Sequence, residues 1–449
     1  MDFRAGQIFA QPKVWDRSVE LLRSNGILLK QCVLDAIKNR AVDLVHPAFF
    51  NKSKSPIIFN GQKFKDLDDV SDSYFGNYAV INQNKGRVRS EIENFIRLGA
   101  ISEVQQVDDS YCVNPLSAVI SGEKCRLLLH FKGNDAYVKG GLKLQTMPMV
   151  KDRLYEMEQA EVNDLTKAYL QFPLLEGSRK LSAFEFEGKF FVFNVLSFGP
   201  SMAPEICQSL LQVPVMVARL KTQPKMVVLV MHWLDDFLED ISKNQNSQVL
   251  QSLIEHNVRI NPAKRQIGSI VVYLGLLLNL KQKTVELKPE LKEEFQQKIQ
   301  TVMRQPTLEN LESLAGSLEF WAGMDPWKRS KSFFLVREIN ARLEEELAEP
   351  RALSEDLIRE LNFWAWEGLK PIKMPTPEPW LFATVQASSD ASSERWAVKI
   401  EGKTVSGPFP EELKQEIIFV KEFYRQGFSG RSGIPLVHFG FLSLARLVG

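Results

Sequence analysis

Three aspartates stand where a chain could do phosphoryl chemistry. Asp164 closes the strand-like stretch Ala160-Glu-Val-Asn-Asp-Leu, and the tandem Asp235-Asp236 follows the apolar run Met226-Val-Val-Leu-Val-Met and His232-Trp-Leu. Strands are rigid and the turns at their ends expose side chains, so two strands can deliver carboxylates to one place. Two-metal phosphoryl transfer needs anionic oxygens that hold Mg²⁺ ions about 3.5–4 Å apart. Mg²⁺ keeps waters and is usually held by a few carboxylates plus substrate phosphates. Taken alone, an Asp-Asp pair after a strand is ordinary turn chemistry and a lone Asp an ordinary cap, so the surroundings must decide.

Those surroundings predict mixed helix and strand, an α+β chain. Arg87 to Leu98 has helical spacing, with Val88, Ile92, Phe95 and Ile96 on one face and Gly99 as its stop. Asn114-Pro-Leu-Ser-Ala-Val-Ile and Lys124-Cys-Arg-Leu-Leu-Leu-His read as strands about a turn at Gly122, and 181–187 with 189–196 as a hairpin about Gly188. Helices are expected over 14–37, 203–220 and 247–256, and a strand over 271–278. A loop-rich stretch carries Pro47, Pro56 and Gly61. Beyond Pro289 the pattern turns to amphipathic helices. One stripe is Leu291, Phe295, Ile299 and Val302; a second, after Thr307 as N-cap, is Leu308, Leu311, Leu314, Ala315 and Leu318. Two more are expected over 331–347 and 354–366, ending at Gly368. Pro371, Pro375, Pro377 and Pro379 mark a connector, followed by short strands over 380–388, 395–400 and 403–406 and a helix over 411–426.

With 449 residues the chain has room for roughly three domains at about 150 residues each. A formal net charge of +1 provides no global field to draw a polyanion, so nucleic-acid binding would rest on local clusters: Lys85, Arg87 and Arg89; Lys124, Arg126 and Lys132; Arg179 and Lys180; Lys328, Arg329 and Lys331. Each would act through phosphate neutralisation, without sequence preference; any one is otherwise a solvated face. Acids in 344–349 offset them. Cys32, Cys112, Cys125 and Cys207 form no C-x-x-C pair, which fits a reducing compartment without a structural metal or disulfide frame. The N-terminus lacks a signal peptide's apolar core, and no apolar run approaches the about 18–20 residues of a membrane span. The expectation is a soluble, cytoplasmic or nuclear protein without membrane contact.

The order Asn163-Asp-Leu-Thr-Lys-Ala-Tyr-Leu-Gln-Phe-Pro-Leu, Ser178-Arg-Lys-Leu-Ser-Ala-Phe, Phe198-Gly-Pro-Ser-Met-Ala-Pro, Trp233-Leu-Asp-Asp and Tyr273-Leu-Gly resembles the palm motifs of the reverse-transcriptase family. The resemblance runs over roughly 80–345, taking in Gly99-Ala-Ile, Asn114-Pro-Leu and Arg126-Leu-Leu-Leu-His. The segment Leu314-Ala-Gly-Ser-Leu-Glu-Phe-Trp-Ala-Gly-Met-Asp-Pro, followed by Lys328 and Arg329, makes it most similar to DIRS-type and other retrotransposon enzymes. It implies a right-hand polymerase: an N-terminal extension over 1–80, fingers and palm over 81–285, a helical thumb over 286–350, a connection over 351–380 and a partial RNase H-like α/β domain over 381–449. It also implies an RNA-directed DNA polymerase using two Mg²⁺ ions, with Mn²⁺ as a substitute, on an RNA template, a DNA primer and dNTPs. A protein partner or a dimer is left open.

By position, the resemblance makes Asp164 and Asp235 metal ligands and Asp236 a supporting acid. Tyr169 becomes the gate against a 2′-hydroxyl, and Lys124 and Arg126 meet the triphosphate, where Arg offers a planar fork. Phe198 and Gly199 lie beside the base, Lys264 approaches the nucleotide, and Trp233 with Tyr273, Leu274 and Gly275 holds the primer. The sequence departs from the family at Trp233 (usually Tyr), Ser197 (usually Pro) and His130 (usually Asp), none of them a metal ligand. Tyr169 argues against an RNA-templated RNA polymerase. The competing class is a retroelement-derived, non-catalytic RNA-binding or structural subunit.

The segment Phe382-Ala-Thr-Val-Gln-Ala-Ser-Ser-Asp-Ala-Ser, with Arg395-Trp-Ala-Val and Leu413-Lys-Gln-Glu, is similar to the start of an RNase H domain. Asp390 and Glu416 would be its first two acids. Phe439 and Gly440 stand where the third belongs, and the chain stops at Gly449 before a fourth, so the expectation is a degenerate or truncated domain without RNase H activity.

Overall fold

The computed structural model describes residues 3–50, 76–105, 107, 111–137, 142, 144, 154–221, 230–243, 246–344, 351–374, 387–391, 395–400 and 403–408. Several expected features lie outside these: Pro56 and Gly61, the start of the apolar run at 226–229, the end of the third C-terminal helix with its acids at 345–350, residues 380–386, the helix over 411–426, Glu416, Phe439 and Gly440. The chain divides into two compact units, Met1–Met374 and Pro375–Gly449.

The first unit opens with two helices, α1 (Pro12–Ser24) and α2 (Gln31–Asn39), where one helical stretch was expected. The break falls at Gly26, whose φ of +72° a side chain would resist. Trp15 of α1 is fully buried, and its indole N–H points at the carbonyls of Ile8 (3.0 Å) and His256 (3.2 Å). Helix α3 (Lys85–Leu98) ends on a left-handed Gly99, as its sequence dictates. Val88, Ile92 and Phe95 are buried, but Ile96 is 44% exposed. At 100° per residue Ile96 falls about 80° from Val88, at the margin of the stripe.

Strand β1 (Ile101–Val104) joins β5 (Ala183–Phe186) and β6 (Lys189–Phe193) in an antiparallel sheet ordered β1-β6-β5. Between these come the hairpin β2 (Leu116–Ser121)–β3 (Lys124–Leu129) and the strand β4 (Ala160–Asp164). Both hairpins appear where the turn glycines predict them. The β5–β6 turn places Glu187 and Gly188 at positive φ, the pattern that matches strand twist.

Helix α4 (Ala203–Lys221), strands β7 (Val230–Trp233) and β8 (Asp236–Asp240), helix α5 (Gln248–Glu255) and strand β9 (Gln266–Gly268) complete the central part. The sheet runs β7-β8-β4-β9, antiparallel throughout. It is buried on both faces. Phe237 packs into the core shared with α4, α5 and the N-terminal helices, whereas Ala160, Val162, Met231 and Leu238 face a second core. Burial on both sides accounts for a β4 strand with no exposed residue.

The second core is closed by a sheet of β10 (Ile270–Tyr273), β11 (Leu276–Asn279), β12 (Thr284–Leu287) and β13 (Ile372–Lys373), and by helices α6 (Pro289–Arg304), α7 (Leu308–Ala322), α8 (Phe333–Glu344) and α9 (Glu355–Phe363). The apolar run over 271–278 is a hairpin rather than one strand. It folds at Leu274 (φ +49°) and Gly275 (φ +79°), and Tyr273 faces Leu276. One face of each half is buried and the other carries half-buried Val272 and Leu277, so no polar residue punctuates the run. The Thr307 hydroxyl accepts from the Asn310 N–H as the expected N-cap, and Ser354 does the same for Leu357. A π-helical turn, Trp364–Gly368, ends the series. In the second unit, strands β14 (Ala387–Ala391), β15 (Arg395–Ile400) and β16 (Lys403–Pro408) form an antiparallel sheet in that order, with Asp390 opposite Ala397. Among the described residues no helix is long and apolar enough to cross a membrane.

Candidate active site

Antiparallel pairing of β4 with β8 sets Asp164 directly opposite Asp236. By the two-residue alternation of a strand, both lie on the face that carries Val162 and Leu238. Like charges directly opposite one another destabilise a sheet, and here a third acid is added. Asp235 sits in the two-residue turn between Trp233 and Asp236, and its carbonyl accepts from the Leu165 N–H at 3.0 Å, tying that turn to the end of β4. Three carboxylates therefore converge at one end of the sheet.

The electrostatics follow from that crowding. Burial holds Asp235 above the usual carboxylate range, with Asp164 pushing the same way and Lys264 and Arg126 opposing. Asp236 is raised to about 6, first by burial and then by its two acidic neighbours. Lys264 Nζ meets Asp164 Oδ2 at 2.8 Å, and the ammonium's own pKa is raised chiefly by that bond. Asn261 supports the same aspartate: its N–H donates to the Asp164 carbonyl at 2.8 Å and its amide lies 3.5 Å from Oδ1. No three His, Cys, Asp or Glu side chains among the described residues stand in metal-holding geometry by themselves; Asp164 is turned to Lys264. The donor set nevertheless suits a hard divalent cation, being all oxygen, anionic and deficient in counter-charge.

Around the acids lies an aromatic and basic wall. Tyr169 sits on the 3₁₀ turn Ala168–Gln171 that leaves β4, half-buried, its ring edge-on to Phe198 at 4.8 Å. The Arg126 guanidinium stands 5.6 Å from the Phe198 ring centre. Arg126 and Lys124 alternate onto the exposed face of β3, opposite buried Leu127 and Leu129. Gly199 is required sterically: at φ +139°, a Cβ would fall 1.9 Å from the Leu129 carbonyl oxygen. The Phe198 carbonyl accepts from the Leu129 N–H at 2.9 Å, so the 198–199 loop is docked onto β3. Tyr273, Leu274 and Gly275 form the β10–β11 turn. Tyr273 is buried, and its hydroxyl points to the Asp236 carbonyl at 3.4 Å; Trp233 is half-buried.

The basic clusters do not all survive as surfaces for phosphate. Lys328 is 6% exposed; its ammonium donates to the carbonyls of Gly368 (2.8 Å) and Lys370 (2.6 Å) and lies over the Trp321 ring. Its neighbour Arg329 pairs with Glu319, and Arg89 pairs with Glu187. One-dimensional clustering cannot tell a solvated lysine from one that plugs a helix end. The sequence also passes over the residues that surround the Asp235 turn, Gln208 and Gln212 on α4 and His232 on β7. Only the i, i+4 spacing of the two glutamines marks them as sharing a helix face.

No protein-family model and no curated protein matches this sequence. Solved structures do match. A foamy viral protease-reverse transcriptase in complex with double-stranded DNA aligns at 16% identity over 79% of this chain and 62% of that one, with a TM-score of 0.55. A second complex of that protein with double-stranded DNA aligns at 15% identity over 79% and 73% of the two chains, with a TM-score of 0.53. A third, with an RNA/DNA hybrid, aligns at 16% over 76% and 45%, again at 0.53. This chain thus spans less than two thirds of the length of the first of these, and at such identities the likeness speaks of fold. The fold is reverse-transcriptase-like.

Proposed function

We propose that this chain is an RNA-directed DNA polymerase of the retrotransposon type that extends a DNA primer on an RNA template. One observation carries the reading. Asp164 and Asp236 face one another across β4 and β8 with Asp235 beside them, a convergence of acid that costs the fold stability and serves a cation. Asp164 and Asp235 would hold Mg²⁺, with Asp236 in support. Bound there, two ions would activate the primer 3′-hydroxyl and neutralise the departing pyrophosphate.

The chain's own residues do the rest. Arg126 and Lys124, exposed on β3, bind the triphosphate of the incoming dNTP. Tyr169, braced by Phe198, lies under the sugar and excludes a 2′-hydroxyl. The backbone at Phe198–Gly199 is fixed against β3 and bounds the base. Lys264 is long, exposed and already drawn to the acids, so it can move from Asp164 towards phosphate. Trp233 and the Tyr273–Gly275 turn bracket Asp236 and support the primer end. In this reading residues 81–285 are fingers and palm, 286–350 with helices α6 to α8 the thumb, and 351–380 with α9 the connection. The segment Leu314–Pro326 favours the DIRS-type branch. The Pro375–Gly449 unit is an RNase H relative in which Phe439 replaces the third acid; the absence of hybrid cleavage by wild type and by Asp390→Asn alike is the expected result.

The deciding experiment is primer extension on an RNA template with Mg²⁺, with dNTPs and rNTPs side by side. Extension with dNTPs alone supports the reading. Binding of the template-primer without extension would leave the non-catalytic RNA-binding alternative.

A further inference from the structure

Leu234 is held at φ +54°, in the left-handed region that leucine rarely adopts, immediately before Asp235. Such a conformation costs on the order of 1 kcal/mol and persists only where the surroundings impose it. Here the imposing groups are polar and buried. The Leu234 N–H donates to Gln208 Oε1 at 2.8 Å, and its carbonyl meets His232 Nε2 at 2.8 Å. Gln208 Nε2 lies 3.1 Å from both the His232 carbonyl and His232 Nδ1, and Gln212 Oε1 lies 3.0 Å from that same Nδ1. The imidazole is 2% exposed and stacks on Phe237 at 4.3 Å and 9°. A buried network of this kind is costly unless nearly every member is satisfied, and packing alone would be met more cheaply by an apolar side chain at position 232.

We propose that His232 and Gln208 form a positioning clamp that holds the Leu234–Asp235 turn in its strained form and so sets the direction in which Asp235 presents its carboxylate to a divalent cation. The inference rests on the metal role proposed for Asp235. The clamp grips both backbone polar groups of Leu234, its N–H from α4 and its carbonyl from β7, so neither peptide flanking Leu234 can rotate without losing its partner. Burial, with Arg219 adding to it, lowers the His232 pKa to about 4, and the ring is neutral at ordinary pH. Its single N–H is then the one given to the Leu234 carbonyl, and Nδ1 accepts from the Gln208 amide nitrogen rather than pairing with the Gln212 oxygen. Neither residue needs to touch the cation or substrate; they act through the turn.

The test uses the full chain with Mn²⁺ alone as probe, followed by electron paramagnetic resonance, and hydrogen exchange of the peptide covering 230–237. His232→Phe keeps the ring against Phe237 and removes both nitrogens. It is expected to speed exchange at 234–235 and to weaken Mn²⁺ affinity by about tenfold, the usual effect of losing a partner behind a ligand. His232→Gln, whose amide nitrogen reaches the Nε2 position, restores affinity to within about threefold of wild type. Gln208→Leu is the second variant should His232→Phe fold poorly, with the same loss expected. Exchange that quickens while Mn²⁺ affinity stays within about twofold of wild type overturns the clamp, as does a His232→Gln no better than His232→Phe. A wild type that shows the clamp effect but extends no primer sinks the polymerase reading alone. A wild type with no Mn²⁺ site sinks both.

Discussion

Lys264 Nζ lies 2.8 Å from Asp164 Oδ2, joining a side chain that is 62% exposed to one that is 12% exposed. The ammonium stands where a cation would relieve the repulsion among Asp164, Asp235 and Asp236, and it is the kind of group a metal must displace. Removing it should therefore have two opposite effects. In Lys264→Ala the half-saturating Mg²⁺ concentration for primer extension falls by about threefold, because a competing charge is gone, while kcat falls because the nucleotide loses a partner. Mg²⁺ titration at saturating dNTP reads both. A half-saturating concentration that rises instead would make Lys264 an aid to metal binding and not a rival.

Asp164→Asn and Asp235→Asn should each lower extension by at least about a thousandfold. Template-primer affinity should stay within about twofold, since binding rests on exposed Lys and Arg. Asp235 ionises against its burial, so its amide variant should also melt no earlier than wild type. A thermal shift and a binding isotherm run beside the extension assay separate lost chemistry from lost fold. Near-normal extension by either variant would remove the metal assignment.

The sign of the pH dependence follows from Asp236, raised to about 6 first by burial and then by Asp235 and Asp164. Without metal the folded state holds this proton more tightly than the unfolded chain, so stability falls as pH rises from about 4 to about 6. Activity runs the other way, needing the carboxylate and being lost as pH falls through about 6. Metal competes with the proton, so raising Mg²⁺ should move the acidic limb to lower pH. Extension rates from pH 5 to 8 at two Mg²⁺ concentrations check this; a limb that ignores Mg²⁺ would assign it to another group.

Much of this site is legible in the sequence because its signals are local. An acid at the end of an alternating strand, a tandem acid after an apolar run and a glycine turn each report themselves within a few residues. The β10–β11 hairpin was hidden because Val271 to Leu278 is apolar on both sides of the fold, leaving Gly275 as the one cue. The clamp was hidden for a different reason. Gln208 and His232 are 24 residues apart and meet only when α4 packs beside β7. Lys328 looks like a surface cation in sequence because its partners, the carbonyls of Gly368 and Lys370, arrive from 40 and 42 residues away.

Tyr169 should govern sugar choice. Its ring leans edge-on against Phe198 five residues after Asp164, and a smaller side chain there opens space beside the acids. Tyr169→Val is expected to raise ribonucleotide relative to deoxynucleotide incorporation by about tenfold or more, as loss of a steric exclusion would. Single-nucleotide kcat/KM values for a matched rNTP and dNTP measure it. Unchanged discrimination would make Tyr169 a packing residue.

Lys328 should behave as a structural lysine in spite of its basic neighbours. Desolvation lowers its pKa to about 8, with Asp325 and Glu367 opposing. The folded state therefore binds its proton less tightly than the unfolded chain does, and wild-type stability should rise between about pH 8 and pH 10. Lys328→Met keeps the stem over Trp321 but strips two buried carbonyls of their donor, which should cost about 1–3 kcal/mol at pH 7 and abolish that rise. The salt dependence of template-primer binding should be unchanged, because no phosphate contact is lost, whereas Arg126→Ala should reduce the slope by about one. Chemical denaturation at several pH values, together with binding isotherms at several salt concentrations, tests both halves. A shallower salt slope in Lys328→Met at unchanged stability would place this ammonium on nucleic acid after all.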